Sequence, residues 1–385
     1  MGLQLPMNSL FGMAIQQGAG ANDHAKMAAG YEQLNSTDNQ FRWFILTDYA
    51  LAPVKNQANL PPEINPRALS AGTYVTGVWA QGPVSMIPRL SDQFGWLMLA
   101  AMGHVSTVSD TTAANVFGVQ GGDAGINSHL FTFYDDDQYF QPWLTLRRLL
   151  PHTTAAEVLG AIFQDGRIAS MTLNAAAASP VTADINFLAR VNQSNYVFNP
   201  APGWTESYDD LYDFGVTSCD GYFRVGGVNF PVTTMSLTLA NSLLQPQQSI
   251  TIGTVHPEDF PNLGRTAQFT ATFLVEDYDL YASIFAGTAV DFDGSSGENV
   301  ACQVYDADLD VMLASQTYIS GTEPYKLRIV SNTTGDDNVT WSVAPIRIQP
   351  NQPIVMQVTG DIKAVGSGFP LYAILQNAQT NYELP

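Results

Sequence analysis

The sequence predicts a mainly β protein with a minor helical part, built as two tandem β-rich domains that each carry one helix. Three observations predict it. A helical signature occurs twice: Phe94, Leu97, Met98 and Ala101 recur 184 residues later as Tyr278, Tyr281, Ala282 and Phe285, both at i, i+3, i+4, i+7 spacing. Both copies follow an acidic start, Ser91-Asp92 and Glu276-Asp277, and both stop at a glycine, Gly103 and Gly287, residue types suited to the two ends of a helix. Each half then closes on a strand–turn–strand. Residues 168–173 return as 181–190, and residues 339–348 return, after a turn over 349–353, as 354–365. The two apolar quartets are expected to form the helix core of each repeat.

Taken in order, residues 1–38 are rich in Gly, Ala, Asn and Gln with weak periodicity and read as an arm that orders on a partner. The first domain spans 39–195. Residues 41–46, 73–79 and 84–90 read as strands, and Pro83 and Pro88 suggest edge positions. The helix over 92–102 follows. Residues 107–127 hold many turn formers and read as a long loop, and 129–134 alternate as a strand does. Residues 142–150 fit either a helix or a strand, and the capping box Thr154-Ala-Ala-Glu157 suggests a short helix to Phe163. A linker over 196–214, rich in Pro, Tyr and Asp, leads into the second domain at 215–365. There 232–239, 267–274, 301–306 and 325–331 read as strands, and 366–385 as a C-terminal tail that packs elsewhere.

Charge narrows the function. Charged residues make up only 13% of the 385, so most of the surface is not built to face water, and contact with other subunits is the natural reading. Net charge is −20 and is spread along the chain, with 18 acids and 9 bases before residue 215 and 17 and 6 after it. Tight nucleic-acid binding needs Lys and Arg to displace counterions, and the acidic balance argues against it; it does not argue against an acidic wall past which a polyanion slides. Two cysteines, Cys219 and Cys302, exclude a disulfide framework and multi-cysteine zinc modules. No basic-then-apolar leader and no apolar run of membrane-spanning length occurs, which points away from a membrane.

Catalytic and cofactor motifs find little support. The five histidines, His24, His104, His129, His152 and His256, show no metal-ligand spacing. The glycine-rich stretch 118–125 lacks the Lys-Ser/Thr of a phosphate loop, and there is no nucleophile elbow. Asp135-Asp136-Asp137 and Asp209-Asp210 read as turn chemistry. The metal candidate is calcium at Asp306, Asp308 and Asp310, whose alternation would place three carboxylates on one strand face; the competing reading is an acidic face turned to solvent or to the inside of an assembly. No catalytic residue and no cofactor are assigned, and the chain reads as a non-enzyme.

Three stretches carry a resemblance to a known family. Residues 265–287 run from an alternating Thr/Phe strand through Glu276-Asp277 into a helix that ends at Gly287. Residues 232–241, followed by Ile252-Gly-Thr-Val-His-Pro257, form a paired segment and turn ahead of that strand. Residues 166–173 with their return strand form a closing hairpin. Together these resemble the tail tube proteins of long, non-contractile phage tails, in a duplicated-domain form, over about two-thirds of the chain. The resemblance implies a β-sandwich or half-barrel with a flanking helix in each repeat. It implies sheets that join between subunits into a continuous barrel, and homotrimeric, pseudo-hexameric rings that stack into a tube. It also implies a place in the virion after assembly in the host cytoplasm. The implied partners are further copies of the chain, the tape measure, tail terminator and distal tail proteins, and DNA as passing cargo. Lumenal charge is expected from strand-borne acids, and ring-to-ring contacts from the arm 1–38, the loops 107–127 and 291–299, and the tail 366–385. The alternative is a two-domain carbohydrate-binding or adhesive β-sandwich, with a glycan-active enzyme as a third reading.

Overall fold

The structure is a computed structural model that describes residues 10–16, 41–60, 72–109, 125–133, 141–150, 159–191, 198–199, 215–275, 278–290, 301–320, 323–331, 337–346, 350, 353–364, 370–380 and 382. The elements of the first half are β1 Leu10–Ile15, β2 Arg42–Phe44, β3 Leu46–Tyr49, β4 Ala52–Asn59, β5 Thr73–Met86, α1 Gln93–Met102, β6 Gly103–Ser109, β7 Asn127–Phe133, β8 Leu144–Leu150, β9 Leu159–Ala176, β10 Thr182–Arg190 and β11 Phe198–Asn199. Those of the second half are β12 Val216–Val225, β13 Val228–Asn229, β14 Val232–Leu243, β15 Asn262–Leu274, α2 Asp279–Ala286, β16 Tyr305–Ala307, β17 Leu309–Ser320, β18 Glu323–Val330, β19 Val339–Val343, β20 Val355–Ile362 and β21 Tyr372–Asn377.

Strands alternate apolar and polar residues, so each sheet has one face to bury. Two sheets meet over one core. The larger follows the order β4-β5-β10-β9-β14-β15-β20-β19-β16, with β3 beside the far end of β5 and β1, β2, β8 and β11 attached near β9. The smaller runs β13-β12-β17-β18-β21-β7-β6. Every pairing in both is antiparallel. Between the sheets Phe223 of β12 stacks on Phe269 of β15 at 5.1 Å, and Trp341 of β19 closes on both rings edge-on. The two halves share this core, and their sheets are continuous through β9 and β14, where Ser170–Ala176 pairs with Thr234–Ala240.

Both helices form where the spacing placed them and both end on a left-handed glycine, Gly103 at φ 99° and Gly287 at φ 70°, a conformation open to a residue without a Cβ. Other expectations are corrected. Residues 144–150 are strand, and 159–163 belong to β9 rather than to a helix reaching Phe163, because they pair with β8 on one side while Gly160 and Ala161 pair with β11 on the other; Thr154-Ala-Ala-Glu157 lies outside the described residues. Pro83 sits in the interior of β5, opposite Asn186 of β10; on its other flank the outer strand breaks at Ala50-Leu51, where the missing proline N–H is not needed. The C-terminal tail does pack elsewhere, within the smaller sheet. β21 inserts between β18 and β7, and Tyr382 is buried against α1. Part of the presumed arm is likewise internal, since β1 pairs with both β2 and β8. Residues 17–38, 110–124 and 291–299, and 200–214 of the linker, lie outside the described residues.

Candidate functional site

The first candidate surface is the pair of free borders of the larger sheet. At one border β4 pairs with β5, and among the described residues no strand lies on its other side. Lys55, Asn56, Gln57 and Asn59 are exposed there, the polar and cationic dress of a guarded edge. At the other border β16 covers only Val339–Trp341 of β19, and Ser342 beyond it is exposed.

The second surface is the larger sheet's outer face. Inward positions such as Val84, Ile185, Met171, Leu237, Phe269 and Val358 fill the core, so their neighbours point away from it. Those neighbours are overwhelmingly Ser, Thr, Asn and Gln. The exposed-face carboxylates of the described strands fall on one transverse row. Asp48 faces Ser85, Ser85 faces Asp184, Asp184 faces Thr172, Thr172 faces Thr238, Thr238 faces Gln268, Gln268 faces Asp361, Asp361 faces Thr340 and Thr340 faces Asp306. Each acid on the row accepts a hydrogen bond. Ser85 Oγ (2.5 Å) and Asn174 Nδ2 (2.9 Å) donate to Asp184, Gln268 Nε2 (2.8 Å) to Asp361, the Tyr49 amide (2.7 Å) to Asp48, and Thr340 Oγ1 to Asp306, with Lys363 Nζ 3.5 Å from the last. The rows on either side, through Asn186, Ser170, Ala240 and Thr266 and through Asn174, Ser236, Thr270, Thr359 and Ser342, carry no carboxylate. The wall is therefore a neutral hydroxyl and amide surface crossed by one acidic stripe.

The third surface is where helix meets sheet. Phe94, Leu97, Met98 and Ala101 of α1 are all buried. The second hairpin, β14–β15, closes the helix's C-terminal end: Asn241 Nδ2 donates to Ala101 O at 3.1 Å, and Arg265 Nη1 to Met102 O at 3.2 Å. Groups that donate or carry positive charge there complement the negative end of the helix dipole. Arg265 also lies 5.5 Å from the Phe133 ring. In α2 the matching quartet is only partly buried, with Tyr281 packed against the core. Tyr278 is 42% exposed and Phe285 38%, Tyr281 and Ala282 are half-buried, and Leu280 and Ser283 are the residues that turn inward. The repeated spacing identified the helix but not its buried face.

The calcium candidate is taken apart by the fold. Asp306 lies on β16 in the larger sheet and Asp310 on β17 in the smaller, with the change of sheet at Asp308, so the alternation never shares a face. Asp310 instead accepts from Arg328 Nε and Nη2 at 2.8 and 2.9 Å, with Tyr222 Oη at 3.2 Å and Arg224 at 4.0 Å. No cluster of three metal-ligating side chains occurs among the described residues. His129 is buried between Asn377 and Thr107, and burial pulls its pKa down to about 4; His104 bonds Thr132, and His24 and His152 lie outside the described residues. Cys302 is a free, exposed thiol. Sequence reasoning missed Asn241, Arg265 and the acidic row, because each gains its meaning from a strand that is distant in the chain. The run of Thr and Ser at alternate positions of β14 and β15 was the available signal.

Two antiparallel sheets with open borders, a hydroxyl-rich outer face and helices set against the sheet define a structural, assembling protein. The family model described as phage tail tube protein matches residues 25–324, and the chain belongs to that family. It is thus a virion component of phage tails. Comparison with curated proteins returns no match. No helix among the described residues is long and apolar enough to cross a membrane.

Proposed function

We propose that the chain is a duplicated tail tube subunit of which three copies close a pseudo-hexameric ring, and that stacked rings form the channel through which DNA leaves. The strand order carries this reading. β4-β5-β10-β9 and β14-β15-β20-β19 are two quartets of one plan, an opening hairpin followed by a closing hairpin whose second strand pairs with the opening one. They join head to tail, β9 to β14, which leaves an opening strand free at one end and a closing strand free at the other. That is a heterologous contact, and heterologous contacts close into rings when the rotation permits.

The sheet's own geometry supports closure. Ala183, the second residue of β10, faces Met86, and Met356, the second residue of β20, faces Phe273, which makes Thr272 the counterpart of Ser85. The transverse row that meets β5 at Ser85 meets β15 at Gln268, four residues short of Thr272. Four residues of shear over four strands is a tilt of about 35°, at about 3.4 Å per residue and 4.8 Å per strand, which lies in the range of closed barrels. Three copies supply 24 such strands, and at that tilt the barrel measures about 45 Å across its backbones. DNA would pass the hydroxyl face without adhering, since the described face offers Lys363, already beside Asp306, and few other cations.

Ring stacking, and contacts with the tape measure, tail terminator and distal tail proteins, belong to the same reading, as does assembly in the host cytoplasm. Negative-stain microscopy of the purified protein tests it. Rings or tubes of uniform bore are expected; compact monomers at every concentration would refute it and favour the adhesive-module alternative.

A further inference from the structure

We propose that Lys55 on the β4–β5 hairpin of one copy docks on the C-terminal end of α2 in a second copy, over Phe285, Ala286 and Val304. The inference rests on the ring reading and adds the contact that seals each seam. Its template lies inside the chain. At the β9–β14 junction the hairpin of one quartet reaches the helix of the other, and Asn241 and Arg265 donate to the last carbonyls of α1. Asn241 and Arg265 are paired across that hairpin. In the register that equates Thr272 with Ser85, the corresponding pair of the first hairpin is Lys55 and Val78, which are likewise directly opposite. Val78 shares the core-side parity of Ala80, Val84 and Met86, so Lys55 points to the helix side of the sheet. Yet Lys55 is exposed.

An inward-pointing cation on an edge strand has two uses. It blocks indiscriminate edge pairing. It also suits one particular neighbour, the negative end of a helix dipole. α2 supplies that neighbour. Its last turn contains no basic residue; the Ala301 amide donates to Phe285 O at 2.9 Å, Gln303 lies against Gly287, and Val304, next in the chain, is 60% exposed. A cation thus faces a helix C-terminus, as Arg265 faces the end of α1 within the chain. The two surfaces are at opposite borders of one sheet, so they meet between copies and not within one. The occupant is a second copy of this chain.

The native protein carries its own probe, because Cys302 is an exposed free thiol two residues before Val304. Assembled full-length protein, mixed from isotopically light and heavy batches, is treated with a short amine-to-thiol cross-linker. A Lys55–Cys302 link that joins light to heavy chains is expected, and it should vanish in C302S. Lys55→Glu, at an exposed position that leaves the fold intact by circular dichroism, should raise the concentration needed for assembly on the order of tenfold, the scale of reversing a charge at a helix end. Lys55→Arg should restore it. Rings that form without the mixed-isotope link, or a Lys55→Glu protein that assembles as wild type does, would overturn the docking and leave the ring reading standing. Wild-type protein that never assembles would overturn both.

Discussion

The two helices hold corresponding places in the two quartets and have opposite surroundings. α1 is sealed. Sheet lies against it, Asn241 and Arg265 close its C-terminal end, and Tyr382 fills the hollow left by Gly95, with its hydroxyl donating to Asp92 O at 3.0 Å. α2 packs against β16 and β19 and shows Tyr278 and Phe285 to the outside. The difference teaches that the chain is finished at one junction and unfinished at the other. Where α1 receives side-chain donors from a distant hairpin, the end of α2 receives the Ala301 amide, which donates to Phe285 O at 2.9 Å, and no side-chain donor among the described residues.

The contrast predicts a divided response to mutation. Phe94→Ala should cost about 3–5 kcal/mol of folding stability, as a fully buried aromatic does, whereas Phe285→Ala should cost under about 1 kcal/mol and act on assembly instead. Chemical denaturation of unassembled protein measures the first effect and sedimentation the second. Equal losses of stability at the two sites would erase the distinction.

The seal over α1 also responds to acid. His129 of β7 bonds Asn377 of β21, with the Tyr382 ring 4.6 Å away, and burial holds its pKa near about 4, below the ordinary 6.5. The unfolded chain takes up this proton first. The stabilisation is therefore complete above pH 6.5 and is lost as pH falls through about 4, with a total on the order of 3 kcal/mol. Denaturation midpoints followed from pH 7 to pH 4 should show this slope, and His129→Gln should flatten it.

Smaller effects sharpen the same comparison. A Cβ on Gly95 would lie 2.1 Å from Tyr382 Cζ, so Gly95→Ala should displace the tyrosine and cost about 2 kcal/mol, despite the better helix propensity of alanine. A thermal melt of Gly95→Ala combined with Tyr382→Ala tests the cause, because the glycine substitution should then be harmless. Asn241→Ala removes donors to Ala101 O and Ile168 O and should cost about 1–2 kcal/mol. Asp361→Asn, on the exposed row, should change stability by no more than about 0.5 kcal/mol; a melt that moves by several degrees would show the row to be structural.

Much of the fold was legible in local pattern. Apolar alternation found most strands, and the spacing of Phe94 to Ala101 and its echo found both helices with their glycine stops. Local pattern could not say which face of α2 is buried, because Phe285 has the same spacing whether or not a neighbour covers it. Nor could it see that β21 belongs between β18 and β7, since a strand's partner is fixed by sheet topology and not by its own residues. The alternation of Asp306, Asp308 and Asp310 misled for a related reason: periodicity implies a shared face only while the chain stays in one sheet. The acidic row is the converse case. Asp48, Asp184, Asp361 and Asp306 are far apart in sequence, and only the register of the strands aligns them.

Electron cryo-microscopy of assembled tubes tests the central claim most directly, by counting chains and strands around the bore. The account predicts three chains per ring, 24 strands in a single closed barrel tilted by about 35°, and the border of β4 against the far border of a neighbour's β19. Six chains per ring, or sheets that stay separate around the channel, would contradict it.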